Sequence, residues 1–305
     1  MKELHIKDLL TVGDLTEKEF YQIFKLTSSL KKKNKKLLKG KTLGMIFEKP
    51  STRTRVSFEV GIYQLGGTSL YLSRNDLQIG RGESIKDTAL TLSRYLDGIM
   101  IRAFSHQMVV EFARYSTIPV INGLTDLLHP CQALSDFFTI FEHKKRFKGL
   151  KLGYIGDGNN VAHSLTLSAA KLGIDITLAS PEGYFISESI KSKALDIAKQ
   201  TGSKIVLTTN PDEAANNADV LYTDVWVSMG QESEKDKKQE IFKNYQINSE
   251  LLKKAKPDVI IMHCLPAHRG EEITDEVMDG PNSVVFEQAE NRLHTQKAIM
   301  VLLMY

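Results

Sequence analysis

Short apolar runs alternating with longer amphipathic ones leave this chain few folds to choose from. Between residues 42 and 123 the order reads strand 42–47, helix 53–65, strand 68–72, helix 84–96, strand 98–101, helix 106–115 and strand 119–122. The first run, with Leu43, Met45, Ile46 and Phe47, is short and apolar like a buried parallel strand, whereas Val56, Val60 and Tyr63 recur at helical spacing. A repeat of that kind gives a parallel sheet wrapped by helices. A helix from Pro130 to about residue 145 ends in Lys144, Lys145 and Arg146, and a second alternation follows it. It reads strand 150–155, helix 159–172, strand 174–179, helix 183–200, strand 204–208, helix 211–217, then strands 219–223, 258–262 and 283–286. The expected fold class is therefore α/β, with two doubly wound domains, each a parallel sheet flanked by helices. Residues 1–146 form the first domain and 147–288 the second, with the amphipathic run 289–305 as a C-terminal helix crossing back to the first.

Local signals agree with these limits. Ser84 with Asp87 three residues on is a near capping box, and Asn210-Pro211-Asp212-Glu213 is a helix start with Asn as cap and Pro in the first turn. A polar loop of ten residues, 74–83, is longer than the usual strand-to-helix connection, and loops of that length are often functional.

Composition sets outer limits. A chain of 305 residues fits about two domains, and its 42% hydrophobic and 25% charged content is that of an ordinary globular protein. Forty basic and 37 acidic residues, net +3, are too balanced to point to a nucleic-acid partner for the whole chain. The lysine run 31–36 closes a helix-like stretch starting near Thr16, where cations complement the helix dipole. The alternative, a basic nucleic-acid-binding face, would show affinity that collapses with salt. Lys2, Glu3, Lys7 and Asp8 interrupt the N-terminus, so no apolar leader is expected, and no run approaches the roughly twenty apolar residues of a membrane span. Two cysteines far apart, Cys131 and Cys264, fit a reducing cytoplasm.

Lys49-Pro50-Ser51-Thr52-Arg53-Thr54-Arg55 stands between the first strand and its helix. A helix N-terminus leaves backbone N–H groups unpaired and partly positive, and here three hydroxyls and two guanidinium groups join them. That combination suits a phosphate, with Ser51, Thr52 and Thr54 ringing its oxygens and Arg53 forking onto two of them. An ordinary cap would need Ser51 alone.

Gly156-Asp157-Gly158-Asn159-Asn160 resembles a dinucleotide turn, but Val161 stands where the third glycine belongs and no ribose-binding acid follows Ala179-Ser180. No cofactor is expected. His129-Pro130-Cys131-Gln132 opens a helix, which turns its polar groups toward the crevice beyond the strand ends; taken alone, such a histidine is more often structural. His263, Cys264 and His268 lack a fourth ligand and have Arg269 beside them, so no metal site is expected. Asp224-Val225-Trp226-Val227-Ser228-Met229-Gly230 follows a strand, and the Glu/Lys/Gln-rich extension to Glu240 is expected to be mobile.

Taken together these motifs resemble the aspartate and ornithine carbamoyltransferases over nearly the whole chain. Ser51-Thr52-Arg53-Thr54-Arg55 is similar to that family's carbamoyl phosphate loop, and His129-Pro-x-Gln132 to its carbamoyl-holding motif. Asp224-x-Trp-x-Ser228-Met229-Gly230 and His263-Cys264-Leu265-Pro266 resemble the ornithine-using branch, since aspartate-using members have neither Ser-Met-Gly nor the cysteine.

That resemblance implies transfer of the carbamoyl group of carbamoyl phosphate to the δ-amine of L-ornithine, giving L-citrulline and phosphate. It implies that carbamoyl phosphate is bound by Ser51, Thr52, Arg53, Thr54, Gln78, Arg102, His129, Gln132, Cys264, Leu265 and Arg292, and ornithine by Asn160, Asp224, Ser228 and Met229. Cys264, Arg102 and His129 are the implied catalytic residues, with Cys131 in packing. It further implies a cis Leu265–Pro266 bond and a homotrimer whose loop 74–83 brings Gln78 into a neighbouring subunit's site, with no nucleic-acid or membrane partner. A sibling carbamoyltransferase acting on aspartate, putrescine or an N-acylated ornithine is the alternative.

Overall fold

The computed structural model describes residues 4–227 and 234–305. In chain order its elements are α1 (Glu17–Lys32), β1 (Thr42–Phe47), α2 (Thr52–Gln64), β2 (Thr68–Ser73), α3 (Ile85–Leu92), β3 (Gly98–Arg102), α4 (His106–Tyr115), β4 (Val120–Leu124) and α5 (Pro130–Lys144). Then come β5 (Lys151–Ile155), α6 (Asn160–Leu172), β6 (Asp175–Ala179), α7 (Glu188–Thr201), β7 (Ile205–Thr208), α8 (Pro211–Ala215) and β8 (Val220–Thr223). The chain closes with α9 (Lys235–Phe242), α10 (Ser249–Leu252), β9 (Ile260–His263), α11 (Asp275–Met278) and α12 (Val285–Met304). One compact unit runs to Ser135 and includes Glu290–Tyr305; the other is Asp136–Ala289.

In the first unit the strands lie in the order β2-β1-β3-β4, all parallel, with Leu43 opposite both Ser69 and Gly98. β1 and β3 are buried along nearly their whole length because helices cover both faces of the sheet, which is why they read as unbroken apolar runs. The strand order reverses between β1 and β3, so the crevice at their C-terminal ends is where a ligand binds in sheets of this kind. The last turns of α12 pack on this unit. Lys297 Nζ donates to Leu30 O at 3.1 Å, Asn34 Oδ1 at 3.0 Å and Gln64 Oε1 at 2.8 Å, tying α12 to the C-terminal ends of α1 and α2. At Gly61 a Cβ would stand 3.0 Å from Met300 Cε, so the glycine sets how closely α2 and α12 approach.

In the second unit the order is β7-β6-β5-β8-β9, again all parallel, and the reversal falls between β5 and β8. Its core gathers Trp226, Phe242, Tyr245 and Ile261 among others. No helix among the described residues is long and apolar enough to cross a membrane.

Four expectations about elements need correction. Residues 283–286 form no strand: Ser283 makes an isolated bridge to Ile261, and Val285 already begins α12. The β-branched pair Val284-Val285 mimics a strand locally, but Gln288 N donates to Val284 O at 2.8 Å and starts the helix. α7 begins at Glu188 and not at 183, because Gly183, at φ 84°, closes a turn in which Tyr184 N donates to Pro181 O. Residues 74–83 are no plain loop but hold two 3-10 turns, Arg74–Asp76 and Gln78–Arg81. Finally, residues 235–240 of the Glu/Lys/Gln-rich extension expected to be mobile belong to α9, where Lys238 is buried, while 231–233 lie outside the described residues.

Candidate active site

In the first unit Ser51 caps α2, its hydroxyl accepting from Thr54 N at 3.3 Å, and the first-turn N–H groups lie beyond the C-terminal end of β1. Thr54 is buried, while Thr52 and Arg53 are exposed. Arg55 turns away: its guanidinium lies 3.9 Å from the centre of the Tyr71 ring and donates to Glu59 Oε1 at 3.1 Å. Of the two arginines in the turn, only Arg53 stays with the cluster.

Arg102 is the last residue of β3, and His129 and Gln132 stand at the start of α5; all three are buried. Arg292, from α12, donates through Nη1 to Gln132 Oε1 at 2.5 Å and through Nη2 to Thr54 Oγ1 at 3.4 Å. With its amide in the orientation that satisfies both ends, Gln296 accepts from Arg292 Nε at 3.1 Å. Burial holds the His129 imidazole well below the ordinary 6.5, and the charges of Arg292, Arg102 and Arg53 push it the same way. Three guanidinium groups thus surround a neutral imidazole, a set suited to a small dianion with an attached carbonyl. Cys131 faces elsewhere, its Sγ 3.4 Å from Asn122 O, and burial pushes its thiol up to about 12. Gln78 is exposed on the second 3-10 turn.

The second unit gathers a different set. Gly156, at φ 144°, lets the chain turn sharply off β5, and Asn159 caps α6 by accepting from Val161 N at 2.9 Å and Ala162 N at 3.1 Å. The other end of that amide donates to Asp224 Oδ2 at 2.7 Å, just past β8. Cys264 Sγ donates to Asp224 Oδ1 at 2.9 Å from just past β9. Both oxygens of a carboxylate that is only 5% exposed are therefore held, one by an amide and one by a thiol. Asn160 is half-buried at the first position of α6.

His263 anchors the turn beneath Cys264. Its Nε2 lies 3.0 Å from Glu272 Oε1, and its Nδ1 accepts from Leu265 N at 2.9 Å. The Leu265–Pro266 bond is cis, as the resemblance implied, and Leu265 has φ 59°, a strained conformation for a residue with a branched side chain. Asp224, His263 and Cys264 bring potential metal-ligating atoms within 4.8 Å of one another, yet both nitrogens of His263 are already engaged. Ser228 and Met229 lie outside the described residues.

Two contributors escaped sequence reasoning. Asn159 carries no separate role in its motif, although a place just before a helix is the mark of a cap; its second bond, to Asp224, has no local signature. Gln296 sits one turn after Arg292 on α12, a spacing that puts both on one face.

An α/β protein whose two units carry, respectively, a guanidinium-lined anion cluster and a carboxylate–thiol–amide cluster has the features of a two-substrate transferase. Residues 7–142 match the family model of the aspartate/ornithine carbamoyltransferase carbamoyl-P binding domain, and 148–303 that of its Asp/Orn binding domain. The ornithine carbamoyltransferase of Thermococcus kodakarensis is 56% identical over 98% of this chain and 96% of its own, and that of Halalkalibacterium halodurans 57% identical over 98% and 95%. The solved ornithine carbamoyltransferase from Pyrococcus furiosus superposes with a TM-score of 0.96 at 53% identity, covering 100% of this chain and 99% of that one. The chain belongs to the aspartate/ornithine carbamoyltransferase family.

Proposed function

We propose that the protein transfers the carbamoyl group of carbamoyl phosphate to the δ-amine of L-ornithine, giving L-citrulline and phosphate. The observation that carries this reading is Asp224, with one oxygen held by Cys264 Sγ at 2.9 Å and the other by Asn159 Nδ2 at 2.7 Å. A buried, oriented carboxylate suits a ligand with an ammonium group, and the thiol beside it is the residue by which the family's ornithine branch differs from its aspartate branch. The names of the relatives support the same choice.

In this reading Ser51, Thr52, Arg53 and Thr54 hold the phosphate. Arg102, His129 and Gln132 hold the carbamoyl group, and Arg292 braces Thr54 and Gln132. Asn160, Asp224, Ser228 and Met229 hold ornithine. The chemical difficulty is the nucleophile. An alkyl ammonium titrates near 10.4, so presenting the neutral amine at pH 7 costs roughly three units, about 4 kcal/mol. Cys264, itself held by Asp224, orients that amine. Its lone pair attacks the carbamoyl carbon, the C–N bond forms, and the carbonyl oxygen takes up negative charge that Arg102, the neutral His129 and the backbone at Leu265 stabilise as it develops. Collapse breaks the C–O bond to phosphate, and the amine proton leaves with the departing dianion or to solvent. No covalent enzyme intermediate, metal or cofactor takes part. The working form is a cytoplasmic homotrimer of arginine metabolism, with Gln78 reaching a neighbouring subunit's site.

The test is a citrulline assay with ornithine, putrescine, aspartate and N-acetylornithine as acceptors. Product from ornithine alone is expected. Preference for putrescine would remove the assignment of Asn160, Asp224 and Ser228 to an α-amino acid, and leave a sibling carbamoyltransferase.

A further inference from the structure

Asp157 and Lys238 form an ion pair that the reaction above does not use. Lys238 Nζ, on α9, lies 2.6 Å from Asp157 Oδ2 in the turn after β5, with the two side chains 3% and 11% exposed. A buried pair is a poor source of stability, because desolvating two charges cancels much of their attraction. It is a good way to fix one geometry, since each charge is costly in any arrangement that parts it from the other.

What it fixes can be read from its neighbours. Asp157 precedes Asn159 by two residues, and Gly158 between them leaves no slack: its N–H donates to Tyr184 O at 2.8 Å, and a Cβ there would come within 2.4 Å of the backbone of Phe185 and Ile186. Asn159 in turn donates to Asp224. The same short helix also reaches the far side of Asp224. Phe242, at its other end, stacks on Trp226, two residues after Asp224, with ring centres 6.0 Å apart and planes 25° apart. Tyr184 joins the two contacts: its ring packs edge-on against Phe242 at 5.1 Å, and Lys238 Nζ lies 5.5 Å from its centre. α9 therefore grips both turns whose side chains meet at the Asn159–Asp224 hydrogen bond.

We propose that α9 is the positioning element of the amino-acid site, with Lys238 acting through Asp157 and Phe242 through Trp226 to hold Asn159 against Asp224. Neither Lys238 nor Phe242 is a catalytic residue, and their effect reaches the substrate only through the groups they hold. The inference rests on the proposed acceptor site in the second unit. An alternative role, in which the pair merely anchors α9, predicts a loss of stability with no selective effect on substrate.

Lys238→Met, Lys238→Arg and the double variant Asp157→Asn/Lys238→Met separate the two roles, with steady-state constants for each substrate and thermal midpoints measured on the whole protein. Lys238→Met is expected to raise the KM for ornithine by about tenfold or more, the scale of one lost oriented hydrogen bond to a charged group. The KM for carbamoyl phosphate, bound by the other unit, should stay within roughly twofold. Lys238→Arg should restore most of the ornithine affinity. The double variant leaves no unpaired buried charge, so its thermal midpoint should return toward that of the unchanged protein while the ornithine KM stays high. An ornithine KM that follows the thermal midpoint back, or equal rises in both KM values, overturns the proposal. If the unchanged protein carbamoylates a different amine, the acceptor assignment fails and the positioning role is read on that amine's KM instead.

Discussion

Cys264 Sγ donates to Asp224 Oδ1 at 2.9 Å. In this pair the thiol is the donor and the carboxylate the acceptor, the arrangement of an orienting group; a nucleophilic thiol would instead need a base or cation beside it. Cys264→Ser keeps a donor of the right kind and should retain more activity than Cys264→Ala. Asp224→Asn removes the charge that meets the substrate ammonium, and a lost charge-assisted bond of about 1.5–3 kcal/mol corresponds to roughly ten- to a hundredfold in kcat/KM for ornithine. Mass spectrometry during turnover should find no carbamoylated Cys264; a trapped adduct would make the thiol a nucleophile.

Arg53 is exposed at the first turn of α2, whereas Arg292 is buried and already bonded to Gln132 and Thr54. Their substitutions should therefore differ in kind. Arg53→Ala is expected to raise the KM for carbamoyl phosphate by about tenfold or more with little change in thermal midpoint, and Arg53→Lys should recover only part, since an ammonium cannot fork onto two oxygens. Arg292→Ala should lower the midpoint as well, because it strips partners from Gln132 and Thr54. An unchanged KM in Arg53→Ala would take the α2 turn out of the phosphate site.

Much of the fold was legible because strand and helix periods differ, and a buried parallel strand such as β3 is apolar on both faces. The failures have a common cause. Val284-Val285 reads as strand from its side chains alone, and only the backbone bond from Gln288 N to Val284 O makes it the entrance to α12. α9 is Lys/Glu-rich and has no obvious apolar stripe, so nothing local reveals that Lys238 is buried against Asp157, 81 positions earlier. In the site, the motifs marked which residues carry polar groups but not how each one points. Ser51-Thr52-Arg53-Thr54-Arg55 offers two arginines, and it takes Tyr71 on the neighbouring edge strand to draw Arg55 away.

His129 ties stability to pH. Burial, reinforced by Arg292, Arg102 and Arg53, holds its folded-state pKa well below the ordinary 6.5. The unfolded imidazole takes up a proton near 6.5, so between that value and the lower folded one the unfolded chain binds more protons. The stabilisation is therefore fully present above about pH 6.5 and is lost as pH falls toward the folded pKa, by up to about 1.4 kcal/mol per unit. His129→Gln cannot titrate, and its thermal midpoint should fall less than that of the unchanged protein between about pH 7.5 and 5.5. Equal falls would mean that His129 is not the group being protonated.

Gln78 stands exposed on a 3-10 turn at the end of the edge strand β2, while the α2 turn already supplies its own unit with a phosphate-binding surface. In the proposed trimer the active site is shared, with Arg53 from one subunit and Gln78 from the next, and a cyclic arrangement closes such head-to-tail contacts. Arg53→Ala and Gln78→Ala should each be weakly active alone. When the two are unfolded together in equal amounts and reassembled, a junction is intact if the first subunit carries the Gln78 change and the next the Arg53 change. Each condition holds for about half the subunits, so about a quarter of all sites should recover. No recovery, with mixed trimers confirmed by native mass spectrometry, would place Gln78 in its own subunit's site or in none.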